Sequence, residues 1–494
     1  MTAQLPILQV VVPLLAAPIC AVLRHGRAAA WLAVLASWSV LAIALALLGQ
    51  VMAGGVVSYH IGDWVPPIGI EYRVDIVNAW VLVIVASIGA VVTPYSVASV
   101  EHEIASRRIP LFYAAYLLCL SGLLGITITG DMFNVFVFLE ISSLSAYALI
   151  SLGRPRRALT AAYRYLIMGS VGATFIVIGI GLLYVMTGSL NMADLAGLLP
   201  GVWDSRTVKV AYGFLGVGIC LKLALFPLHL WLPNAYAFAP SPVTAFMAST
   251  ATKVAVYMLL RFFLSIFGAA FSFDVMALDR VLLPLALVAV VSMSLVAIFQ
   301  VDVKRLLAYS SVAQIGYMIL GLSFASITGL TATLLHLFNH ALMKGALFMA
   351  LGCVVYRIGS VHIDAMAGLG KRMPWTMAAF VVGGLSLVGV PLTVGFISKW
   401  YLILGALEKG GPWIAVAVLV LVTSVMALVY VWRVVEAAYL REFSGDEPTG
   451  EAPLSLLAPT WVLVAANLYF GIDAVRTAGV ARQAAEVLMA GIGS

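Results

Sequence analysis

The chain is divided into apolar runs of about 20 residues, separated by short polar loops. A run of this length crosses the hydrocarbon core of a bilayer as an α-helix, which satisfies its own backbone hydrogen bonds in lipid. The runs are continuous and do not alternate polar with apolar residues, which argues against an outer-membrane β-barrel. We therefore predict an all-α polytopic membrane protein.

The composition agrees with this class, because 63% of the 494 residues are hydrophobic and only 10% are charged. A soluble protein of this length would need more charge on its surface. No Lys or Arg precedes the first run, so we interpret it as a span and not as a secretory signal. We predict fourteen spans, at residues 5–23, 29–51, 76–98, 110–129, 131–152, 160–187, 210–231, 241–268, 281–300, 306–325, 328–353, 375–405, 412–440 and 452–473.

Each of the four cysteines stands alone in an apolar run, at no spacing that predicts a zinc site, an iron–sulfur cluster or a disulfide framework. The glycine-rich stretch GFLGVGIC lacks the strand and the Lys-Ser/Thr ending of a phosphate-binding loop. We therefore expect no cofactor, no metal and no nucleic-acid partner, and a transporter rather than an enzyme.

Basic residues are distributed unevenly between the predicted loops. Loops after odd-numbered spans contain thirteen Lys and Arg, whereas loops after even-numbered spans contain five and the C-terminal tail two. Because basic loops face the cytoplasm, we predict a multi-pass protein of the cell (inner) membrane with both termini on the outer, periplasmic side. Topology alone accounts for these charges; contact with lipid or a partner is the alternative.

Several titratable side chains remain inside the predicted spans, where each charge costs about 3 kcal/mol on insertion scales. Such groups are retained where they face one another or water, and by default they mark an ion or proton pathway. They are Glu140, Arg164, Lys222, His229, Lys253, Arg261, His336, His340, Lys344, Lys399, Arg433 and Glu436. Arg261, Arg433 and Glu436 lie near span ends, where snorkelling or local pairing is the alternative explanation.

Helical spacing places some of these groups on common faces. Ser249 and Lys253 are four residues apart, and three residues at four-residue steps form a polar stripe over two turns: His336, His340 and Lys344. The stripe predicts a proton relay. Packed structural histidines and a zinc site are the alternatives, but HLFNH lacks a third ligand and the glutamate of a metalloprotease helix.

Two predicted spans are interrupted by proline close to a lysine: span seven contains Lys222 and Pro227, and span twelve contains Pro391 and Lys399. Such breaks persist in membranes where the backbone lines a polar cavity. Their separation by five spans predicts two repeats of about five helices, with a site at each break. An amine held out of water releases its proton more readily and a nearby carboxylate retains it, so Glu140 and Lys222 form a candidate switch. A static buried ion pair is the alternative.

Five stretches carry a further signal: GDMFNVFVFLEISSLSAYALI, LKLALFPLHLWLPNAYAFAPSPVTAFMASTATKVAVY, VKRLLAYSSVAQIGYMILG, HLFNHALMKGALFMALG and VGVPLTVGFISKW. They resemble the antiporter-like proton-translocating subunits of respiratory complex I, membrane-bound hydrogenases and Mrp-type multisubunit cation/proton antiporters. The resemblance runs from about residue 75 to 440. The first stretch, the segment GFISKWYLILGALEKG and the fourteen-span length are most similar to the D-type subunits of Mrp antiporters.

The resemblance implies two inverted five-helix repeats, at 110–268 and 281–440, with broken helices seven and twelve. Three N-terminal helices occupy 1–109, and a last helix and short tail occupy 452–494. Arg164 stands where many family members have lysine; because arginine hardly releases a proton, only a charge-gating role remains there. The implied proton pathway comprises Glu140, Lys222, Lys253, His336, His340, Lys344 and Lys399, with His229, Ser249 and Glu436 as accessory candidates.

The sequence thus predicts a proton-translocating subunit of a multisubunit Na⁺(K⁺)/H⁺ antiporter, which works with other membrane subunits. Three alternatives stay open. The first is a proton-pumping subunit of a redox complex, either an NADH-quinone oxidoreductase or a membrane-bound hydrogenase. The second is the membrane subunit of an inorganic-carbon uptake system, beside a soluble zinc partner. The third is an assembly scaffold with fixed ion pairs.

Overall fold

The computed structural model describes residues 4–442 and 450–490. Within these ranges eleven helices are long and apolar enough to cross a membrane, and the predicted all-α polytopic class is confirmed. The three other predicted spans are seven and twelve, which are broken, and ten, whose helix Val303–Leu322 has Lys304 and Arg305 in its first turn. Helices are thus present at all fourteen predicted positions, and at eleven of them the helix is long and apolar enough to cross a membrane.

The first six predicted spans form one helix each, and every end lies within five residues of its predicted position. Asp75 caps the third of them, since its carboxylate accepts the backbone N–H groups of Val77 and Asn78 at 2.9 and 3.1 Å. The bounds are Leu5–Val22 (α1), Gly26–Gly54 (α2), Ile76–Glu103 (α3), Ile109–Ile128 (α4), Met132–Ser151 (α5) and Arg157–Thr187 (α6).

The segment between α2 and α3 contains a short antiparallel hairpin where the sequence predicts only a loop. Its strands are Val57–His60 (β1) and Glu71–Val74 (β2), with Val57 opposite Val74. The hairpin also contacts the start of α5, because the backbone N–H of Gly130 donates to the carbonyl of Glu71 at 2.8 Å.

Predicted span seven, 210–231, is helical only as far as Leu223, and a second, short helix begins at Leu232, just beyond the predicted end. The first helix ends at Leu223 because Ala224 adopts a left-handed conformation, with φ at 59°. A π-helical turn, Arg261–Ile266, extends the helix of span eight. The helices of this part are Met192–Leu198 (α7), Arg206–Leu223 (α8), Leu232–Phe238 (α9), Ser241–Leu260 (α10), Leu278–Ile298 (α11), Val303–Leu322 (α12) and Ile327–Ile358 (α13).

Predicted span twelve contains two helices, interrupted at residues 389–393. Gly389 and Leu392 both have positive φ there, at 92° and 71°, so the backbone leaves the helical conformation between the two helices. The helices of the last part are Leu369–Arg372 (α14), Pro374–Val388 (α15), Val394–Lys409 (α16), Trp413–Leu440 (α17), Leu454–Ile472 (α18) and Val475–Ala490 (α19). Further short helical turns are Ile61–Asp63, Ser106–Arg108, Leu199–Val202, Phe271–Val275 and Asp364–Met366.

The predicted short tail contains a helix, α19, which the sequence analysis does not identify. Its polar residues lower its hydropathy, but Ala481, Ala484, Ala485 and Leu488 form one fully buried face. That face packs on α3 and α13. Residues 491–494 of the predicted tail lie outside the described residues.

Helix α13 lies at the centre of the fold. It packs against α3, α10, α12, α15, α16, α18 and α19. Almost every side chain from Gly329 to Val354 is buried. A polar residue on any face of this stretch therefore points into protein and not into lipid.

Candidate functional site

The pair predicted between Glu140 and Lys222 is present in the structure. The Nζ atom of Lys222, in the last turn of α8, lies 3.8 Å from Oε1 of Glu140 on α5. It also donates a hydrogen bond of 2.9 Å to Oγ of Ser143, one turn further along α5. The lysine side chain is only 5% exposed, whereas that of the glutamate is 30% exposed. The pair thus joins a buried amine to a carboxylate at the edge of the interior.

The helix break next to Lys222 has a neutral hydrogen-bond donor of its own. The indole N–H of Trp231 donates to the carbonyl of Leu221 at 3.0 Å, at the end of α8. Trp231 is held in place by stacking on Tyr165 of α6, with ring centroids 3.8 Å apart. Because the indole and, at 3.3 Å, the backbone N–H of Ala224 satisfy this carbonyl, the ammonium of Lys222 is left to interact with α5.

His229, within the same break, is buried and stacks against Phe226. Its Nδ1 atom is shielded from solvent and has no hydrogen-bond partner in the described part of the chain. A buried ring nitrogen without a partner is available to take part in proton transfer. The structure therefore places His229 at the helix break, and its accessory role stays a prediction.

Lys253 on α10 is fully buried and has no carboxylate partner among the described residues. Its Nζ atom donates to the carbonyl of Ala248 and, at 3.4 Å, to Oγ1 of Thr252. Ser249 is also buried, and its hydroxyl has no partner within residues 4–442 and 450–490. It lies where α10 approaches α13, since a Cβ at Gly345 would be 3.3 Å from Oγ of Ser249.

The two histidines of the predicted stripe face each other along α13. Their rings are nearly parallel, at 8°, with centroids 5.9 Å apart. Nδ1 of His336 is 2.8 Å from Oγ of Ser398 on α16, while its Nε2 has no partner among the described side chains. Both ring nitrogens of His340 are likewise unpaired. No group of metal-binding residues is found in the described chain, and these rings form a stack rather than a coordination site.

Lys344 completes the stripe one turn beyond His340. Its Nζ atom donates to the carbonyl of Leu307 at 2.7 Å and to Oγ of Ser310, both on α12. The side chain is fully buried. This lysine therefore connects α13 to the helix of predicted span ten.

Lys399 on α16 is held by the second helix break. Its Nζ atom donates to the carbonyls of Leu387 and Val388, at 3.2 and 2.8 Å, which are the last two residues of α15. It also donates to Oγ of Ser424 on α17 at 2.9 Å and lies 5.2 Å from the ring centroid of Tyr317. The ammonium therefore caps the negative end of a helix.

Two residues in the second half of the predicted pathway lie beside the same aromatic ring. The ring of Tyr317 lies between Lys399 and His336, 5.8 Å from the histidine centroid. No hydrogen bond between described residues links Lys222 to Lys253, or Lys253 to His340.

Three other charges in the predicted spans occupy the surface or the ends of helices. Glu436 is paired with Arg441, at 2.9 Å, and Arg441 also contacts Asp364. Arg433 donates to the carbonyls of Ile298 and Gln300, at the end of α11. For Glu436 and Arg433 this geometry favours local pairing. Arg164 is exposed and lies apart from the other predicted site residues, beside α9.

A buried ion pair between Arg261 and Asp75 was not predicted from the sequence. Two guanidinium nitrogens lie 2.8 Å from the two carboxylate oxygens, and Nε donates to the hydroxyl of Tyr257 at 3.2 Å. The pair joins the end of α10 to the cap of α3. The pair was not predicted because Asp75 directly precedes a predicted span, where an acidic residue is normally assigned to a loop. In addition, 186 positions separate the two partners.

Lys304 was predicted in a loop but is buried. Its Nζ atom lies 3.3 Å from Oγ of Ser241 and 3.4 Å from the carbonyl of Ala239. Glu103 accepts the backbone N–H of Ser241 at 3.0 Å. Lys304 and Glu103 therefore both contact Ser241 at the start of α10. No periodicity in the sequence predicts this arrangement.

Comparison with known proteins identifies relatives over most of the chain. A family model described as NADH:quinone oxidoreductase/Mrp antiporter, TM, matches residues 129–427. NADH-quinone oxidoreductase subunit N of Desulforudis audaxviator (strain MP104C) is 46% identical over 462 residues, covering 92% of this chain and 90% of that protein. The D-type subunit of the Na(+)/H(+) antiporter of Alkalihalophilus pseudofirmus (strain ATCC BAA-2126 / JCM 17055 / OF4) is 29% identical over 435 residues, covering 88% and 86%.

The fold is also similar to that of a solved membrane complex. A chain in the structure of the Mrp complex from Dietzia sp. DQ12-45-1b superposes with a TM-score of 0.90 at 27% identity. The superposition covers 99% of this chain and 97% of that one.

Proposed function

The chain belongs to the NADH:quinone oxidoreductase/Mrp antiporter transmembrane family, and we propose that it is the proton-translocating membrane subunit of a multisubunit Na⁺(K⁺)/H⁺ antiporter. One observation carries the proposal: a series of titratable side chains crosses the buried interior from one helix break to the other. The fold and length shared with the Mrp complex chain support the antiporter assignment.

The proposed pathway begins at Glu140 and Lys222. While the carboxylate is near, its charge favours the protonated amine, because opposite charges attract strongly in a medium of low polarity. When the pair separates, the amine loses that stabilisation and releases its proton towards the interior. The broken helix supplies the hinge, since the ammonium lies in the last turn before the interruption.

The central steps use the groups of α10 and α13. Lys253 receives the proton, and the unpaired ring nitrogens of His340 and His336 pass it along α13, with Lys344 adding charge from the side of α12. The proton leaves at Lys399. Neutral imidazole can accept a proton on one nitrogen and release it from the other. Ser249 and His229 are placed to assist these transfers through their unpaired polar atoms.

We further propose the arrangement in the membrane. The helices α4 to α10 form one five-span repeat and α11 to α17 the second. The basic loops face the cytoplasm of a cell inner membrane, so that both termini lie outside. The chain moves ions within a complex of other membrane subunits and leaves any bond chemistry to them. The D-type subunit of other Na⁺/H⁺ antiporters is the protein whose role it would share.

A second candidate is the proton-pumping subunit of a redox complex. The 46% identity to an NADH-quinone oxidoreductase subunit N favours it. The same buried groups would then move protons, but electron transfer in partner subunits would drive them. The two candidates differ in whether an added cation alone can move protons.

The test is the collapse of a pH gradient in inverted membrane vesicles from cells that express the full gene cluster. Na⁺ or K⁺ is added to an established gradient, with wild type beside Lys222→Ala and Glu140→Ala. We expect a cation-dependent collapse that both variants lose while the complex still assembles. The exposed pair of Arg27 with Glu101 supplies a matched control, Glu101→Ala, which should retain the collapse.

Two results would count against the proposal. The absence of collapse with either cation in the wild type would transfer the assignment to the redox-driven candidate. Loss of assembly together with transport in Lys222→Ala, but not in Glu101→Ala, would favour a structural scaffold with fixed ion pairs.

A further inference from the structure

An open cavity of about 330 Å³ lies between α6, α9 and the start of α12, outside the buried polar interior. Three of its lining residues are arginines, and no acidic residue lines it. Its polar and aromatic lining consists of Arg157, Thr160, Arg164, Asn234, Phe238 and Arg305. The cavity therefore combines strong positive charge with two neutral hydrogen-bonding groups and one aromatic ring.

The three arginines lack partners elsewhere in the described chain. Arg157 and Arg164 make no ion pair with any residue in 4–442 or 450–490, and neither does Arg305. The Nε atom of Arg305 is shielded from solvent and has no hydrogen-bond partner there. By contrast, Arg27 and Arg261 each contact a carboxylate. Three like charges around one cavity repel one another unless an anion lies between them.

The start of α6 strengthens the positive field. Arg157 is the first residue of this helix, where the helix dipole has its positive end. A cation at this position is unfavourable by itself, and an anion is favourable. The helix start and the arginines thus select the same kind of ligand.

The cavity opens at the level where the membrane surface is expected. Helix α6 has 31 residues and is about 46 Å long, longer than the hydrocarbon core of about 30 Å. Leu159 and Tyr163, in its first two turns, are 60% and 62% exposed. Large apolar side chains exposed beside unpaired arginines are typical of the boundary between acyl chains and headgroups.

We propose that this cavity binds the phosphate headgroup of an anionic phospholipid. The arginines hold the phosphate oxygens through paired N–H donors, and Asn234 and Thr160 donate to the remaining oxygens. Phe238 lies against the glycerol and the first acyl carbons. Basic pockets between helices on the cytoplasmic side commonly take such headgroups.

The bound headgroup joins three elements of the fold. It links α6 to α12 through α9, the short helix that follows the break next to Lys222. Because a ligand that binds only the folded state stabilises it, anionic lipid should stabilise this arrangement of helices.

The experiment uses the full chain with its partner subunits, in nanodiscs that contain a photoactivatable phosphatidylglycerol with the reactive group at the headgroup. Crosslinked peptides are identified by mass spectrometry. We expect labelling of peptides that contain residues 157–164 or 234–238. The single variants Arg164→Gln and Arg305→Gln should each reduce the yield at least about fivefold, since each removes one of three charge-assisted contacts. Arg107→Gln, an exposed arginine outside the cavity, is the matched control and should retain full labelling.

Competition experiments distinguish a lipid phosphate from a free phosphate ion. Unlabelled phosphatidylglycerol should compete, whereas phosphatidylcholine and inorganic phosphate at equal concentration should not. Competition by inorganic phosphate would assign the cavity to a free anion and overturn the lipid assignment. Equal labelling of wild type and both cavity variants would also overturn it, as would a crosslink from these peptides to a partner subunit in place of lipid. Arg164→Lys, which retains charge but not the planar fork, should give an intermediate yield.

Discussion

The two broken helices hold their lysines in different ways. At the first break a neutral indole, that of Trp231, satisfies the helix-end carbonyl, and Lys222 contacts the carboxylate of Glu140. At the second break Lys399 itself donates to the last two carbonyls of α15, and its remaining partner is the hydroxyl of Ser424. The same architecture therefore stabilises one ammonium by a side-chain charge and the other by the backbone.

This difference predicts how each lysine can be switched. A carboxylate on a neighbouring helix can move away through a rotamer change, and Glu140 is already partly exposed. Helix-end carbonyls move only when the helix moves. We therefore expect the first site to respond to local side-chain motion and the second to respond to the geometry of its break.

The largest expected difference concerns the partners of the two lysines. Glu140→Gln keeps the shape of the side chain but removes its charge, so the cation-dependent collapse should fall at least about 30-fold, equivalent to about 2 kcal/mol. Ser424→Ala removes a neutral partner of Lys399 and leaves both carbonyls, so the fall should be less than about threefold. Both variants are measured in inverted vesicles, with assembly checked on native gels. Equal losses would contradict the comparison.

The indole at the first break can be tested separately through stability. Trp231→Phe keeps the stacking ring but removes the indole donor, so that the carbonyl of Leu221 retains only the 3.3 Å hydrogen bond from the N–H of Ala224. The loss of one hydrogen bond should lower the unfolding free energy by about 0.5–1.5 kcal/mol. Thermal unfolding in detergent provides the measurement. Trp432→Phe, at a 53% exposed position, is the control and should change little. A larger loss in the control than at the break would reject the capping role of Trp231.

The backbone of the second break is sensitive to a single methyl group. Gly389 has φ at 92°, and a Cβ there would lie 2.9 Å from Cδ of Lys399. Gly389→Ala should therefore cost about 1–2 kcal/mol of stability from the left-handed conformation and also reduce transport. Gly181→Ala, in α6 with no atom within 4 Å of the new Cβ, should instead be neutral or stabilising. The comparison fails if both substitutions behave alike in thermal unfolding and transport.

The smallest effect is expected where the breaks resemble each other. Ala224 and Leu392 both have positive φ, at 59° and 71°. Ala224→Gly and Leu392→Gly should each stabilise the protein by less than about 1 kcal/mol, because the relief of strain is offset by the greater freedom of glycine in the unfolded chain. Clear destabilisation by either, seen as a lower midpoint of thermal unfolding, would mean that the side chain itself has a role at that break.

The sequence predicted the helices well because their signal is local. Runs of apolar residues identify α1 to α6 with small errors, and the prolines near Lys222 and Lys399 mark both interruptions. Helix α19 was missed because its many polar residues outweigh an apolar face that consists of only four residues. That face can be recognised only from its packing on α13.

The site was predictable to the extent that helical spacing determines it. The stripe of His336 and His340 follows from four-residue steps, and its prediction as one face agrees with the stacked rings. The pairing of Arg261 with Asp75 depends instead on two distant helices meeting, and no periodicity encodes that. The burial of Lys304 has the same origin, since the neighbouring start of α10 covers it.

The placement of the polar stripe on α13 has a consequence for the response to membrane voltage. The proposed transfer along this helix runs between His340 and His336, which are four residues apart, or about 6 Å along a helix axis. This distance is about one-fifth of a 30 Å hydrocarbon core. A proton that moves between them along the membrane normal would therefore gain or lose roughly 0.5 kcal/mol for each 100 mV across the membrane. The transfer along this helix would be an electrogenic step, and its rate would depend on the electrical potential as well as on the pH difference.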